Sequence, residues 1–239
     1  MTLAVLGAGP LGRSIAASFP CSTLLLDEQV VPGPWLSRRI DPNTGEGIRS
    51  ALAGAERLLV ILERPAEWLG LYLILRADAV SRRVVFVLPT GVSAPAWTSA
   101  WPQWSTFSLG YPWGKGDPLF DGFANRSLRS CPKLDSFPTV PFSEAQSAVL
   151  AAFEFPGSRW SWGGEIQSLQ GIAASLGGPL RRAWWPARWA RHTGVSWSDI
   201  VARSGSPGSP RNTPGWEPAP VENPPDVPAP RLVDVVNGA

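Results

Sequence analysis

Between Thr2 and Pro89 the chain alternates short, wholly apolar runs with stretches whose apolar residues recur at helical spacing. Thr2-Leu3-Ala4-Val5-Leu6 is apolar on both faces and too short for a helix, so it predicts a strand buried in a parallel sheet. Gly7 stops it. Pro10 is acceptable in a first helical turn, and Leu11, Ile15 and Phe19 follow on one helical face, which predicts a helix directly after the glycine turn. Thr23-Leu24-Leu25-Leu26 predicts a second strand, ending on Asp27. Residues 30–47 hold prolines, glycines and polar side chains around a short strand from Trp35 to Ile40, and the rest of that stretch reads as loop. Ile48 to Ala55 predicts a short helix and Arg57 to Leu62 another central strand. A helix from Pro65 is expected on Trp68, Leu71, Tyr72, Leu75 and Ala79, before a fourth strong strand, Arg83 to Leu88.

Strands that alternate with helices in this way predict an α/β fold, a Rossmann doubly wound parallel sheet with right-handed crossovers. Beyond Gly91 the pattern loosens, and 97–117 is rich in Trp, Pro, Ser and Gly. Ser143 with Gln146 forms a capping-box pattern, opening a helix with Ala145, Ala148, Val149, Ala152 and Phe153 on one face. A further helix is predicted from Glu165 to Leu176, with Ile166, Leu169, Ile172, Ala173 and Leu176 apolar and Gly177 as its stop. From Ser204 onward nine prolines fall between Pro207 and Pro230, which predicts an extended or disordered tail.

Composition narrows the classes. A net charge of +2 with 17% charged residues gives no general attraction to nucleic acid or anionic lipid, so neither is an expected partner. Cys21 and Cys131 lie far apart and His192 is the one histidine, a supply that suits neither a structural zinc site nor a disulfide framework, and no metal is expected. The amino terminus has no basic leader and no apolar run approaches the roughly 18 residues of a bilayer span, which predicts a soluble, cytoplasmic protein. The 13 tryptophans are assigned first to core packing. Arg181 to His192 mixes cations with aromatics and reads as a helix with solvated arginines, ahead of a surface for phosphate or membrane.

The glycine turn carries the most specific chemistry. Gly7-Ala8-Gly9-Pro10-Leu11-Gly12 has the GxGxxG spacing, follows a strand, precedes a helix, and has Asp27 twenty residues after Gly7. Gly7 permits the sharp turn, Gly9 admits a pyrophosphate close to the backbone, and Gly12 lets helix and strand pack together. The helix amino terminus, from Pro10 and Leu11, presents N–H groups and its positive dipole end to the phosphates. Asp27 would accept from the adenosine ribose hydroxyls and repel a 2′-phosphate, which favours NAD; Arg38 and Arg39 blunt that preference and leave NADP open. The predicted organisation is one NAD(P)-binding domain over 1–203, a cofactor half (1–95) followed by the remaining sheet and a small C-terminal substrate lobe (96–203), then the Pro-rich tail 204–239.

On these residues the sequence resembles the extended or atypical short-chain dehydrogenase/reductases, in particular the NAD-dependent epimerase/dehydratase-like proteins and their NmrA-like relatives. Arg39-Ile40-Asp41-Pro42, then Ile48 to Ala55 and Leu58 to Leu62, is similar to the stretch in which a strand ends on an Asp near the adenine, so the resemblance adds Asp41 to the cofactor residues. Val84 to Gly91 occupies the place of the strand that ends in two serines, which would put Thr90 near the catalytic hydroxyl. Val140-Pro141-Phe142-Ser143-Glu144-Ala145, Trp160 to Leu176 and Gly215-Trp216-Glu217-Pro218 are similar, in order, to later segments of the group.

The group's chemistry implies a tyrosine acid/base with a lysine four residues later on the same helical face. Tyr111 and Lys115 have that spacing, but Pro112, Gly114, Gly116 and Pro118 oppose a helix. Gly110 to Asp117 is the closer match to the group's "g.vyGpgd" loop, and on that alignment the helix bearing the Tyr and Lys is missing between Gly91 and Ser105. Two functions follow from the resemblance. One is an epimerase- or reductase-like oxidoreductase on a sugar nucleotide or small carbonyl substrate. The other is a non-catalytic dinucleotide-binding regulatory or interaction protein without a working Tyr–Lys pair. A homo-oligomer is compatible with both.

Overall fold

A computed structural model describes residues 3–19, 22–41, 46–61, 82–89, 102–126, 130–131, 136–176 and 181–182. The expected helix on Trp68 to Ala79, Thr90, Gly177, the Arg181–His192 helix beyond Arg182 and the 204–239 tail lie outside these residues.

Seven parallel strands form the main sheet: β1 (Leu3–Leu6), β2 (Thr23–Asp27), β3 (Leu36–Arg39), β4 (Arg57–Ile61), β5 (Arg83–Pro89), β6 (Trp104–Leu109) and β10 (Arg159–Trp162). Their spatial order is β10-β6-β5-β4-β1-β2-β3, so the direction of winding reverses between β1 and β4. That reversal opens a crevice at the carboxyl ends of the strands, where ligands of doubly wound sheets sit. The strands are apolar on both faces because both are covered: Ala4, Leu24, Leu26, Leu58, Val60 and Phe86 belong to one core, Val5, Leu25, Leu59, Val85 and Val87 to the other.

On the second of these faces lie α1 (Pro10–Ser18) and α4 (Phe142–Ala151). Ser18 Oγ donates to Gln146 Oε1 at 3.2 Å, and the Gln146 amide donates to Ser14 Oγ, which links the two helices through a partly buried polar bridge. The expected capping box is corrected here. The helix starts at Phe142 with Pro141 at its N-cap and no side-chain cap, and Gln146 turns to α1 instead of back to its own amino end. Its apolar face is as expected, with Ala145, Ala148, Val149, Ala152 and Phe153 all buried.

The opposite face is covered by α2 (Ile48–Leu52), whose Ile48, Ala51 and Leu52 are buried. No helix joins β2 to β3. Residues 28–35 make the whole connection, with Val31 and Trp35 laid against the α1 side of the core and the Trp35 indole N–H donating to Val31 O at 3.2 Å.

After β6 the chain leaves the sheet through Gly110 and builds a smaller lobe. It contains β7 (Tyr111–Trp113), α3 (Pro118–Ala124), β8 (Ser130–Cys131), β9 (Phe137–Pro141), β11 (Glu165–Gln167), α5 (Leu169–Ser175) and β12 (Arg181–Arg182). β7 and β11 flank β9, in parallel and antiparallel pairing respectively, and Tyr111, Leu119, Phe123, Phe137, Leu169 and Ile172 form a third core. The helix expected over Glu165 to Leu176 is therefore shorter. Glu165–Gln167 pairs with Phe137–Thr139 as a strand, Ser168 Oγ accepts from Gly171 N at 3.0 Å as the N-cap, and Ile166 is 76% exposed instead of lying on an apolar helical face.

Candidate functional site

The glycine loop runs from the end of β1 into α1 and is fixed from three sides. Gly7 N donates to Leu26 O at 3.0 Å, tying the loop to β2. Gly7 takes φ +109, and a Cβ there would lie 3.0 Å from Ile61 O, so both backbone conformation and contact with β4 call for glycine. A Cβ on Gly12 would meet Gly7 O at 2.0 Å, which means that the first turn of α1 rests directly on the loop backbone. The Arg13 guanidinium Nε donates to Ala8 O at 2.7 Å and closes the loop from the helix side.

Asp27 ends β2 beside this loop. Its Oδ2 accepts from Ala8 N at 2.7 Å, so the half-buried carboxylate faces the glycine turn. Gly9 serves as N-cap of α1, and since it has no side chain the helix amino end receives no side-chain cap, in contrast to α3 and α5, which Asp117 and Ser168 close. Pro10 has no N–H, and Leu11 and Gly12 stand in the first turn. An uncapped nine-residue helix whose dipole points at a glycine loop, with a carboxylate across the turn, fits the pyrophosphate and ribose of a dinucleotide.

Beyond Asp27 the crevice opens into a cleft of about 910 Å³ between the carboxyl ends of β2 and β3 and the start of α2. Asp41 lines it, as do Arg39, Ile40, Glu46, Glu28 and Val30. Asp41 is thus brought to the same end of the sheet as Asp27, with its N–H bonded to Glu46 O at 3.0 Å. Glu28, Glu46 and Arg13 had no signal in the sequence: they are unremarkable surface types whose position depends on how β2, β3 and α2 converge.

Of the candidate catalytic residues, Tyr111 and Lys115 do not line this cleft. Tyr111–Trp113 is a strand, and Lys115 lies exposed in the turn after it, so the two side chains do not share a helical face. Tyr111 is 1% exposed inside the lobe core, edge-on to Phe137, and its hydroxyl donates to Asp117 Oδ2 at 2.9 Å. Asp117, fully buried, uses Oδ1 to accept from Leu119 N and Phe120 N, each at 3.0 Å, as the N-cap of α3. One carboxylate thereby anchors both the strand and the helix of the lobe. Residues 90–103, which connect β5 to β6, contain neither tyrosine nor lysine.

No family model matches the sequence, and no curated protein matches it. Solved structures do match in fold. MoeE5 in complex with UDP-glucose and NAD superposes with a TM-score of 0.61 at 16% identity, over 79% of this chain and 86% of that one. The GalE-like L-threonine dehydrogenase from Cupriavidus necator gives 0.59 at 13% identity, over 86% and 94%. The UDP-N-acetylglucosamine 4-epimerase from Bacillus cereus gives 0.54 at 12% identity, over 82% and 91%. The architecture is the fold that these epimerase, dehydrogenase and NAD-bound structures share. At these identities the likeness is one of fold, and what the protein does is argued from its own residues.

Proposed function

We propose that the protein binds a nicotinamide dinucleotide, NAD ahead of NADP, and does so without the tyrosine–lysine proton relay of the group it resembles. Binding is supported by the loop from Gly7 to Gly12, the uncapped end of α1, and Asp27 held against that loop. NAD, when bound, supplies a hydride acceptor. Gly9 and the α1 amino end would hold its pyrophosphate, Asp27 its adenosine ribose, and the cleft beside Asp41 its adenine.

The single observation that carries the second half is the β5–β6 connection. The resemblance places the Tyr and Lys there, and residues 90–103 contain neither. Tyr111 does not replace them, because its hydroxyl is already donated to buried Asp117. The role that follows is that of a binding or sensing protein, with the dinucleotide as ligand.

A second reading, an epimerase- or reductase-like oxidoreductase on a sugar nucleotide or small carbonyl, is favoured by the fold match to MoeE5, described with UDP-glucose and NAD. It needs a proton donor other than Tyr111, with Thr90 as the candidate that the strand-end resemblance offers. Titration calorimetry with NAD, NADH, NADP and NADPH separates these ideas from the start. Heat with NAD or NADH, and no change in nicotinamide absorbance on adding UDP-sugars or carbonyl compounds, is the expected result. Turnover would select the second reading, and no heat with any of the four would end both.

A further inference from the structure

We propose that β11 is a docking edge for a second copy of this chain, its Glu165-Ile166-Gln167 pairing antiparallel with the same three residues about a twofold axis through Ile166. In the three-stranded sheet β11 pairs with β9 alone, so its other side is an open edge among the described residues. A proline sets the backbone on that side. Ile166 stands opposite Pro138, which has no N–H to give, so theirs is the pair without hydrogen bonds, flanked by the bonded pairs Glu165 with Thr139 and Gln167 with Phe137. Thr139 Oγ1 donates to Glu165 O at 3.2 Å, in keeping with a Glu165 carbonyl turned toward β9. The N–H and C=O of Ile166 therefore point away from β9 into the open side, and its side chain is 76% exposed.

Other edges of the two larger sheets carry guards against such pairing. β3 holds Arg38 and Arg39, β10 opens on Arg159, and β7 has Pro112 at its centre. β11 has one charge, Glu165, and the twofold register keeps it from meeting itself.

The three residues complement themselves. With the axis at Ile166, that residue and its copy form a bonded pair that exchanges both backbone hydrogen bonds, and Glu165 of each copy lies opposite Gln167 of the other. Side chains opposed in this way have Cβ atoms about 5 Å apart. Gln167 Nε2 already donates to Glu165 Oε2 at 2.7 Å within the strand, so the two side chains share a face and suit one another as donor and acceptor. On the other face the two Ile166 side chains cover one another beside Pro138. An axis at Glu165 would set two carboxylates face to face, and an axis between residues would set Ile166 against a polar side chain. An edge of three residues buries little surface, so the dimer belongs with weak, transient associations and is expected to fill over about 10 µM to 1 mM.

Sedimentation equilibrium of the full-length protein is read across that range, for the unaltered chain and for variants, with thermal unfolding as the check on folding. Self-association to a dimer is expected. Ile166→Lys opposes two cations on the axis and should abolish it; since the side chain is exposed, the unfolding temperature should stay within about 2 °C. Gln167→Glu opposes carboxylates twice and should weaken the dimer about threefold or more, whereas Gln167→Lys gives each Glu165 an opposing cation and should tighten it about threefold. If Ile166→Lys does not fold, the opposite responses of the two Gln167 variants decide by themselves. A monomer up to about 1 mM overturns the proposal, as does association that ignores a folded Ile166→Lys or responds alike to both Gln167 variants.

Discussion

Asp27 Oδ2 takes the Ala8 N–H at 2.7 Å, which fastens the end of β2 to the turn that follows β1. The same carboxylate that would meet a ribose is thus already a part of the loop's own architecture. Asp27→Ala removes both roles. We predict a loss of about 1–3 kcal/mol in stability, the usual cost of deleting a hydrogen bond to a charged group, together with at least a tenfold weaker NAD titration. Urea unfolding and calorimetry on the same preparation read the two effects, and unchanged stability would show that the Ala8 contact contributes nothing.

Gly12→Ala tests the contact between α1 and the loop. The added Cβ would sit 2.0 Å from Gly7 O, a backbone atom that has no flexible end to move away, so α1 must shift as a body. The expected cost is about 1–3 kcal/mol, the range for forcing extra volume into a packed site, and NAD binding should fall below detection. Gly116→Ala is the control for a strained glycine without a clash: it has φ +94 and nothing within 4 Å of its would-be Cβ, and it should destabilise modestly and leave NAD binding intact.

Tyr111→Phe separates a structural tyrosine from a chemical one. With its hydroxyl donated to Asp117 in the lobe core, its removal should lower stability by about 1–3 kcal/mol by leaving a buried carboxylate short of a partner. NAD affinity should stay within about twofold. A variant with normal stability but altered turnover of any carbonyl substrate would return Tyr111 to the acid/base role.

Phe86→Ala and Glu154→Ala mark the two ends of the stability scale. Phe86 is fully buried at the centre of the sheet, edge-on to Trp104 at 5.4 Å, and its truncation should cost about 3–5 kcal/mol. Glu154 pairs with Arg57 at 2.9 Å and is half exposed, so its loss should cost under about 1 kcal/mol. Thermal or chemical unfolding of both would check the ranking.

The first half of the fold was legible because its signals are local. β1, β2, β4 and β5 are uniform apolar runs, and the glycine loop is a contiguous pattern with Asp27 at a fixed distance. The second half was harder for a physical reason. β6 contains Trp104, Ser105, Thr106 and Ser108 among its six residues, and Ser105 and Thr106 are buried by their neighbours and not by their own polarity. Trp104 to Leu109 therefore looks like a continuation of the Trp- and Ser-rich stretch around it. Glu165–Gln167 is a strand because β9 pairs with it, a fact about a segment some twenty-five residues away that no local periodicity carries. Arg39 and Arg38 are indistinguishable as sequence; only strand alternation and the Asp27 register assign them to different faces.

The connection of residues 28–35 has a kinetic consequence. Where a crossover helix would have walled the cleft at the ends of β2 and β3, eight residues make the connection, and Val30 and Leu36 stay 62% and 69% exposed. A ligand seated there would face water along that flank, with no segment among the described residues to swing aside before it left. Its occupancy would then follow the surrounding nucleotide concentration from moment to moment, which is the behaviour of a gauge and not of a store.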